Sequence, residues 1–473
     1  MSREPLLLRH PWTGERSRFG LSEDAASLAE KAARLRAGQP DWAARSPEER
    51  AQALVALREA LARRREAMLA ALFADTGRVR ESALEFDATL ATLSRWAEEA
   101  PKLLAPPPAK ASNIPFIQAK QRYEAFALVG VISPWNFPLL LALIDAVPAL
   151  AAGSAVLIKP SEVACRFTAV LEEAIAEVPA LSSVLAMALG DGRVGALVLE
   201  QVDLVCFTGS VATGRKVGEA CMRRFIPCFL ELGGKDPALV FADADLARAA
   251  RAIAWAGLAN AGQSCMSIER VYVEKEAYPA FLSALCAEVG RLRLNDEDPA
   301  VGEIGPIIAE RQVEIIRSQL EEAYALGARA LVGGRVVERH GGFWCEPTVL
   351  VDVHPGMRIL REETFGPILP VTPFADEEQA VALANETEYG LSAAVFSADP
   401  QRAERVAGRL QAGAVSINDA SLTSLVHSAE KTSYKCSGLG GSRMGPASIM
   451  RFLRKKALLI NPGVEDPWWF PRA

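Results

Sequence analysis

Residues 127–159 read ALVGVISPWNFPLLLALIDAVPALAAGSAVLIK. Asp145 is the only charge between residues 126 and 158, so the stretch reads either as a membrane span or as buried core. Gly130, Pro134, Asn136, Pro138, Pro148 and Gly153 interrupt it. A spanning helix needs about 20 predominantly apolar residues and tolerates such breaks poorly without neighbours. The stretch therefore reads as a buried strand over 127–132, a loop, a core helix and a second buried strand over 155–158. Residues 204–207 and 238–241 are two more short apolar runs, and helical stretches such as 168–178 lie between them. Continuous apolar strands alternating with helices predict a parallel sheet covered on both faces. The alternation resumes after residue 265, with a strand over 270–273 and a helix over 278–292. Two successive α/β domains are expected.

That division suits the length. At roughly 100–200 residues per domain, a chain of 473 residues holds several. The first hundred residues read as helices. Ser46-Pro47-Glu48-Glu49 is a capping box with proline at the first helical position, and Leu54, Leu57, Leu61, Met68, Leu69 and Leu72 follow at helical spacing. Residues 101–108 form a proline-rich break. A net charge of −6 argues against a general nucleic-acid binder. The eight cysteines make no CxxC pair and mostly sit in apolar runs, as free thiols do in a reducing cytoplasm. The four histidines form no metal-ligand spacing, so no protein-bound metal is expected.

Five segments carry chemistry. Cys265 ends Asn260-Ala261-Gly262-Gln263-Ser264-Cys265, a small polar segment in which a thiol is more exposed than in a strand; it reads as a nucleophile or as a structural cysteine. In Glu231-Leu232-Gly233-Gly234-Lys235 the carboxylate is either solvated or a general base. In Pro134-Trp135-Asn136-Phe137-Pro138 the amide either caps a turn or faces a developing oxyanion. Lys159-Pro160-Ser161-Glu162 follows a strand, where open α/β sheets bind ligands, and its charges suit ribose hydroxyls. The strand-to-helix turn in Phe207-Thr208-Gly209-Ser210 places backbone N–H groups where a pyrophosphate can sit.

Together, and in this order, PWNFP, KPSE, FTGS, ELGGK and GQSC resemble the aldehyde dehydrogenase superfamily. The resemblance extends through Glu362-Glu363-Thr364-Phe365-Gly366-Pro367 and the block at 385–397, and so covers nearly the whole chain. It implies a Rossmann-like cofactor domain over 1–105 and 124–233, a catalytic domain over 234–450, and an oligomerisation arm and tail over 106–123 and 451–473. It implies oxidation of a small-molecule aldehyde through a thiohemiacetal and a thioester on Cys265. Asn136 and the Cys265 backbone N–H would hold the oxyanion, and Glu231 would activate the hydrolytic water. Glu363 and Phe365 would hold the nicotinamide half of the cofactor, Lys159 and Glu162 the adenosine ribose, and Ser210 the pyrophosphate. Trp135, Ser161, Gly209, Leu232 and Gly233 complete the cofactor set. A carboxylate at Glu162 repels a 2′-phosphate, so NAD is expected, with NADP the alternative that Lys159 leaves open.

Phe137, Leu141, Ile144, Ser264 and Met266 are the expected substrate pocket. No arginine is evident among them to clamp a second carboxylate, which favours an apolar or aromatic aldehyde. A non-catalytic binding member of the family would be expected to lose the nucleophile or the base. A member that hands its thioester to coenzyme A needs no hydrolytic base. Retention of Cys265, Glu231 and Asn136 argues against both. Two departures stand out: Asp145 lies where many members carry lysine, and residues 430–443, EKTSYKCSGLGGSR, replace the usual PFGG approach to SGxGR. Residues 109–123 and 451–460 read as amphipathic strands, and the resemblance implies that they join subunits as a homodimer or homotetramer. The aromatic tail Trp468-Trp469-Phe470 would pack on a neighbour or over a tunnel mouth.

Overall fold

The computed structural model describes residues 4–105, 107–114, 116–463 and 468–470. The apolar stretch folds as its punctuation dictates. Strand Leu128–Ile132 ends before PWNFP, helix Pro138–Ala152 takes proline in its first turn and ends at Gly153 in the left-handed conformation, and strand Ala155–Lys159 follows. Gly153 has φ near 103°, which a glycine adopts without a Cβ penalty. The two strands pair in parallel, flanked by Leu204–Thr208 and Cys228–Glu231 on one side and Leu185–Met187 on the other. All residues of Leu128–Ile132, Ala155–Lys159 and Leu204–Thr208 are buried, as a sheet covered on both faces requires. No helix among the described residues is long and apolar enough to cross a membrane.

A second sheet has seven strands, in the order Arg329–Val332, Thr348–Val351, Ile368–Phe374, Ile268–Glu274, Asp236–Val240, Ser392–Phe396 and Ala414–Ile417. It is parallel except at the Arg329–Val332 edge. The chain then returns to the first sheet. Gly438–Leu439 pairs antiparallel with Cys228–Glu231, and Ile449, Phe452 and Leu453 sit in the first core. This return lies inside the span expected for the second domain. A two-residue strand has no pattern from which it could be read.

The amino-terminal reading needs a similar correction. Helices Ala25–Ala44, Pro47–Arg63, Arg65–Thr76 and Arg80–Leu103 form as expected, and the Ser46 side chain accepts the Glu49 N–H while Glu49 accepts the Ser46 N–H. Before them, however, Pro5–Arg9 and Arg16–Leu21 form an antiparallel hairpin. A run of three leucines is too short to show period two, so its strand character is hidden in the sequence.

Leu453–Ile460 pairs residue for residue with Gln118–Ala125, and Lys110–Ala111 adds to the other side. The two arms therefore satisfy each other's ladder within one chain and leave the outer edges of a three-stranded sheet. In the tail, the Trp469 ring stacks on Phe116 at 6.0 Å, and Trp468, Trp469 and Phe470 all remain exposed.

Asp145 proves to be a structural charge. It is buried on helix Pro138–Ala152, and its carboxylate accepts Arg443 at 2.6 Å and Arg451 at 2.9 Å. Burial opposes its charge, but the two guanidinium groups outweigh burial and hold its carboxyl below the usual range. Arg443 also donates to the Thr208 hydroxyl at the end of a first-sheet strand. One carboxylate thus ties the core helix to the returning chain.

Candidate active site

Cys265 follows helix Leu246–Leu258 through a turn that few sequences adopt. Asn260, Ala261 and Gly262 have φ of 54°, 52° and 68°. A Cβ on Gly262 would lie 2.2 Å from the Gly366 carbonyl oxygen, so glycine lets the cysteine loop press against the 362–367 loop. Phe365, in that second loop, is also left-handed, at φ 50°. Strain of this kind clusters where surrounding structure fixes a functional group. Here Gln263 does much of the fixing: it is buried, accepts the Ile308 N–H at 2.8 Å and donates to the Asn260 and Pro306 carbonyls. Cys265 is half-buried as a residue, and burial of its thiol pushes the pKa up to about 12.

Asn136 is buried beside this loop. Its side-chain amide donates to the Gln263 backbone carbonyl at 3.0 Å, and its backbone carbonyl accepts the Asn260 side-chain amide at 3.2 Å. An amide nitrogen carries two protons, and the bond to Gln263 uses one of them. Behind Asn136, the buried pair Arg78–Glu85 fixes the start of the core helix. Glu85 accepts the Leu139 and Leu140 N–H groups at 2.8 and 3.1 Å, and Arg78 lies over the Phe137 ring at 4.6 Å. Neither residue carries a sequence signal for this role.

The Glu231–Lys235 turn closes the other side. A Cβ on Gly234 would meet the Cys265 carbonyl oxygen at 2.4 Å, and one on Gly233 would meet the Glu363 carboxylate at 2.5 Å. The two glycines therefore let the Glu231 turn, the Cys265 loop and the Glu363 loop converge. Ser437, from the returning chain, clamps the turn by donating its hydroxyl to the Gly233 carbonyl at 2.7 Å, and its carbonyl accepts the Leu232 N–H at 2.9 Å. Lys235, whose partner the sequence does not reveal, is fully buried against Glu269 at 2.6 Å. Glu269 in turn accepts the Thr364 and Phe365 N–H groups at 2.7 and 2.8 Å.

The expected cofactor residues lie along the ends of the first sheet's strands and in the 362–367 loop. Lys159, buried at the end of its strand, meets the half-exposed Glu162 at 3.0 Å. Ser161 is buried and accepts the Val163 N–H. Ser210 caps helix Val211–Arg224, and the Gly209 N–H bonds the Glu231 carbonyl at 3.1 Å. Trp135 meets Phe365 edge-on at 5.4 Å. Glu363 is half-buried and accepts the Gly234 N–H at 3.2 Å; desolvation of its carboxyl, then repulsion from Glu269, push its pKa up to about 8. A carboxylate has about four acceptor sites, so Glu363 keeps capacity for hydroxyl donors, and the set fits a nicotinamide dinucleotide.

The family model described as Aldehyde dehydrogenase family matches residues 8–458. The chain belongs to the aldehyde dehydrogenase family. It is an NAD(P)-dependent oxidoreductase of aldehydes. The solved structure of PutA from Anabaena variabilis, described as an aldehyde dehydrogenase, superposes with a TM-score of 0.97 at 49% identity and covers 99% of this chain and 100% of its own. The 4,4'-diapolycopene aldehyde oxidase of a Methylomonas species is 39% identical over 84% of this chain and 75% of its own length. A protein of Mycolicibacterium smegmatis assigned as an NADP(+)-dependent succinate-semialdehyde dehydrogenase is 35% identical over 93% of this chain and 85% of its own.

In this aldehyde dehydrogenase, Phe137, Leu141 and Ile144 are partly exposed on a helix whose neighbours Leu139, Ala142, Leu143 and Ala146 are buried. The spacing of four and three residues puts all three on one stripe. Ser264 and Met266 flank Cys265 and are also partly exposed. The segment over 419–434 reaches the same place from two directions. Ser421 donates to the Met266 carbonyl at 3.1 Å, and the Lys431 ammonium lies 4.0 Å from the Glu231 carboxylate. The sequence sets residues 430–443 apart from the family pattern but gives Lys431 no role, because a lysine in a polar segment carries no periodic signal.

Proposed function

We propose that the protein oxidises an apolar aldehyde to its acid through a covalent Cys265 intermediate, with NAD as the preferred acceptor. The convergence of the Cys265 loop, Asn136 and the Glu231 turn carries this reading. The Cys265 thiol gives up its proton to water, its sulfur bonds to the carbonyl carbon, and the carbonyl pair moves to oxygen, where the free Asn136 proton and the Cys265 N–H would receive it. Bound NAD supplies the acceptor for the hydride that the tetrahedral carbon releases. Glu231 then takes a proton from water, which attacks the thioester; the carbon–sulfur bond breaks and the acid leaves. Lys159, Ser161, Glu162, Gly209, Ser210, Leu232 and Gly233 would hold the adenosine and pyrophosphate side, and Trp135, Glu363 and Phe365 the nicotinamide side. Residues 1–105 with 124–233 serve the cofactor and 234–450 the chemistry.

The stripe of Phe137, Leu141 and Ile144, with Met266, supports an apolar substrate. Leu425, Val426 and Tyr434, exposed on the segment that reaches Met266, extend that apolar surface outward. The Methylomonas relative, named for a polyene aldehyde, points the same way. NADH formation from a panel of apolar and carboxylate-bearing aldehydes, with and without coenzyme A, tests the reading. Higher kcat/KM for the apolar members, unaffected by coenzyme A, is expected. Preference for the acidic members, or dependence on coenzyme A, would reject it.

Glu162 supports NAD over NADP, and Glu162→Gln should narrow that preference by about tenfold, on the order of one charge–charge contact. An unchanged NAD/NADP ratio would show that Glu162 faces away from the 2′ position. The free state of all eight cysteines fits a cytoplasmic protein. The outer edges of the three-stranded sheet support a homodimer or homotetramer, because exposed edges invite pairing. Light scattering that returned a mass near 50.8 kDa would reject it.

A further inference from the structure

The segment that departs most from the family pattern places a cation in the catalytic centre. Lys431 lies on the approach to the SGLGGSR segment, and its side chain is 9% exposed. The structure gives it one ion pair among the described residues, to Glu231 at 4.0 Å, and its backbone N–H is anchored to Ser442 at 2.9 Å. The surroundings of Cys265 are otherwise acidic. Glu363, Asp236 and Glu231 all act against a negative charge on its sulfur, and Lys431 is the strongest charge acting in its favour. Asp236 is itself fully buried, with one carboxylate oxygen accepting the Ser392 N–H at 3.1 Å and the other unpartnered. A thiolate formed in this buried, acid-lined site needs a compensating cation, and the ammonium of Lys431 is the one that the fold delivers.

We propose that Lys431 is a positioning residue of this active site, whose buried ammonium holds the Glu231 carboxylate and supplies the positive charge beside which the Cys265 thiolate forms. The inference rests on the covalent reading given above and deepens it. It explains why a lysine is buried at a point where a neutral side chain would be less costly to desolvate. It also assigns the atypical segment a chemical task besides lining the substrate path. The charged groups facing the thiol are Lys431 from this segment, Glu231 and Asp236 from two strands of different sheets, and Glu363 from the 362–367 loop.

The test is alkylation of the full-length enzyme by iodoacetamide across pH, followed by mass spectrometry on the peptide that contains Cys265, so that the other cysteines do not contribute. Lys431→Met should move the midpoint of Cys265 alkylation to higher pH and slow it by about tenfold or more at about pH 7.5, since one pKa unit is tenfold in thiolate. Lys431→Arg, which keeps the charge, should restore most of that rate even if packing suffers. Steady-state kcat should fall in Lys431→Met, with KM for an apolar aldehyde changing little. An unchanged alkylation profile in a folded Lys431→Met protein would overturn the proposal. So would equal loss in Lys431→Arg and Lys431→Met, which would mean that shape and not charge matters. A rise in KM confined to carboxylate-bearing aldehydes, with alkylation unchanged, would make Lys431 a substrate clamp and overturn it too. Dehydrogenase activity that survived in Cys265→Ala would instead defeat the covalent reading itself, which separates the two failures.

Discussion

Cys265→Ala is expected to lose aldehyde oxidation by about 10⁴-fold or more, because the tetrahedral carbon that releases hydride forms only on the sulfur. NAD should still bind, since the proposed cofactor residues lie on the strand ends of the first sheet and in the 362–367 loop. The loop itself should survive. Its shape comes from Gln263, Asn260 and the contact of Gly262 with Gly366, none of which uses the thiol. A variant that kept most of the rate would exclude covalent catalysis. A variant that lost NAD binding as well would mean that the loop, and not the nucleophile, had been removed.

The second large effect is on stability. Asp145→Ala should cost about 3–5 kcal/mol, because it leaves Arg443 and Arg451 buried without their counter-charge. Both guanidinium groups are less than a tenth exposed, so water cannot replace the carboxylate. The urea midpoint reports the loss, and an unchanged midpoint would contradict it. The pH dependence has a defined sign. A carboxyl held below its ordinary range stabilises the fold at pH above the unfolded value, about 3.9 for aspartate, and that contribution fades as pH falls through the lower folded value. The difference between wild type and Asp145→Ala should therefore stay constant from neutral pH down to about pH 4 and shrink below it.

The same residue shows where the sequence is legible and where it is not. The strands at 128, 155, 204 and 236 are built on the short apolar runs 128–132, 155–158, 204–207 and 238–240, and such runs need no distant information to be read. Cys265, Glu231 and Asn136 sit in short motifs whose order along the chain resembles one family. Asp145 is different: its partners lie 298 and 306 residues away, and only the fold brings them together. Lys431 and Glu231 are 200 positions apart by their numbering and meet for the same reason. The Glu85 cap on the core helix and the Lys235–Glu269 pair also join residues with no pattern in common. The return of Gly438–Leu439 to the first sheet is two residues of backbone pairing, below the length at which alternation carries information. Local periodicity marks elements and their burial, whereas charge pairing across the fold is fixed only by tertiary contact.

The most direct test of the covalent, hydrolytic account uses Glu231→Gln. The variant is mixed with NAD and an apolar aldehyde, quenched in acid, digested and examined by mass spectrometry. The account predicts a burst of NADH near one equivalent per subunit, slow turnover after it, and the acyl group of the substrate on the peptide containing Cys265. Steady turnover at the wild-type rate with no acyl adduct on Cys265 would contradict it.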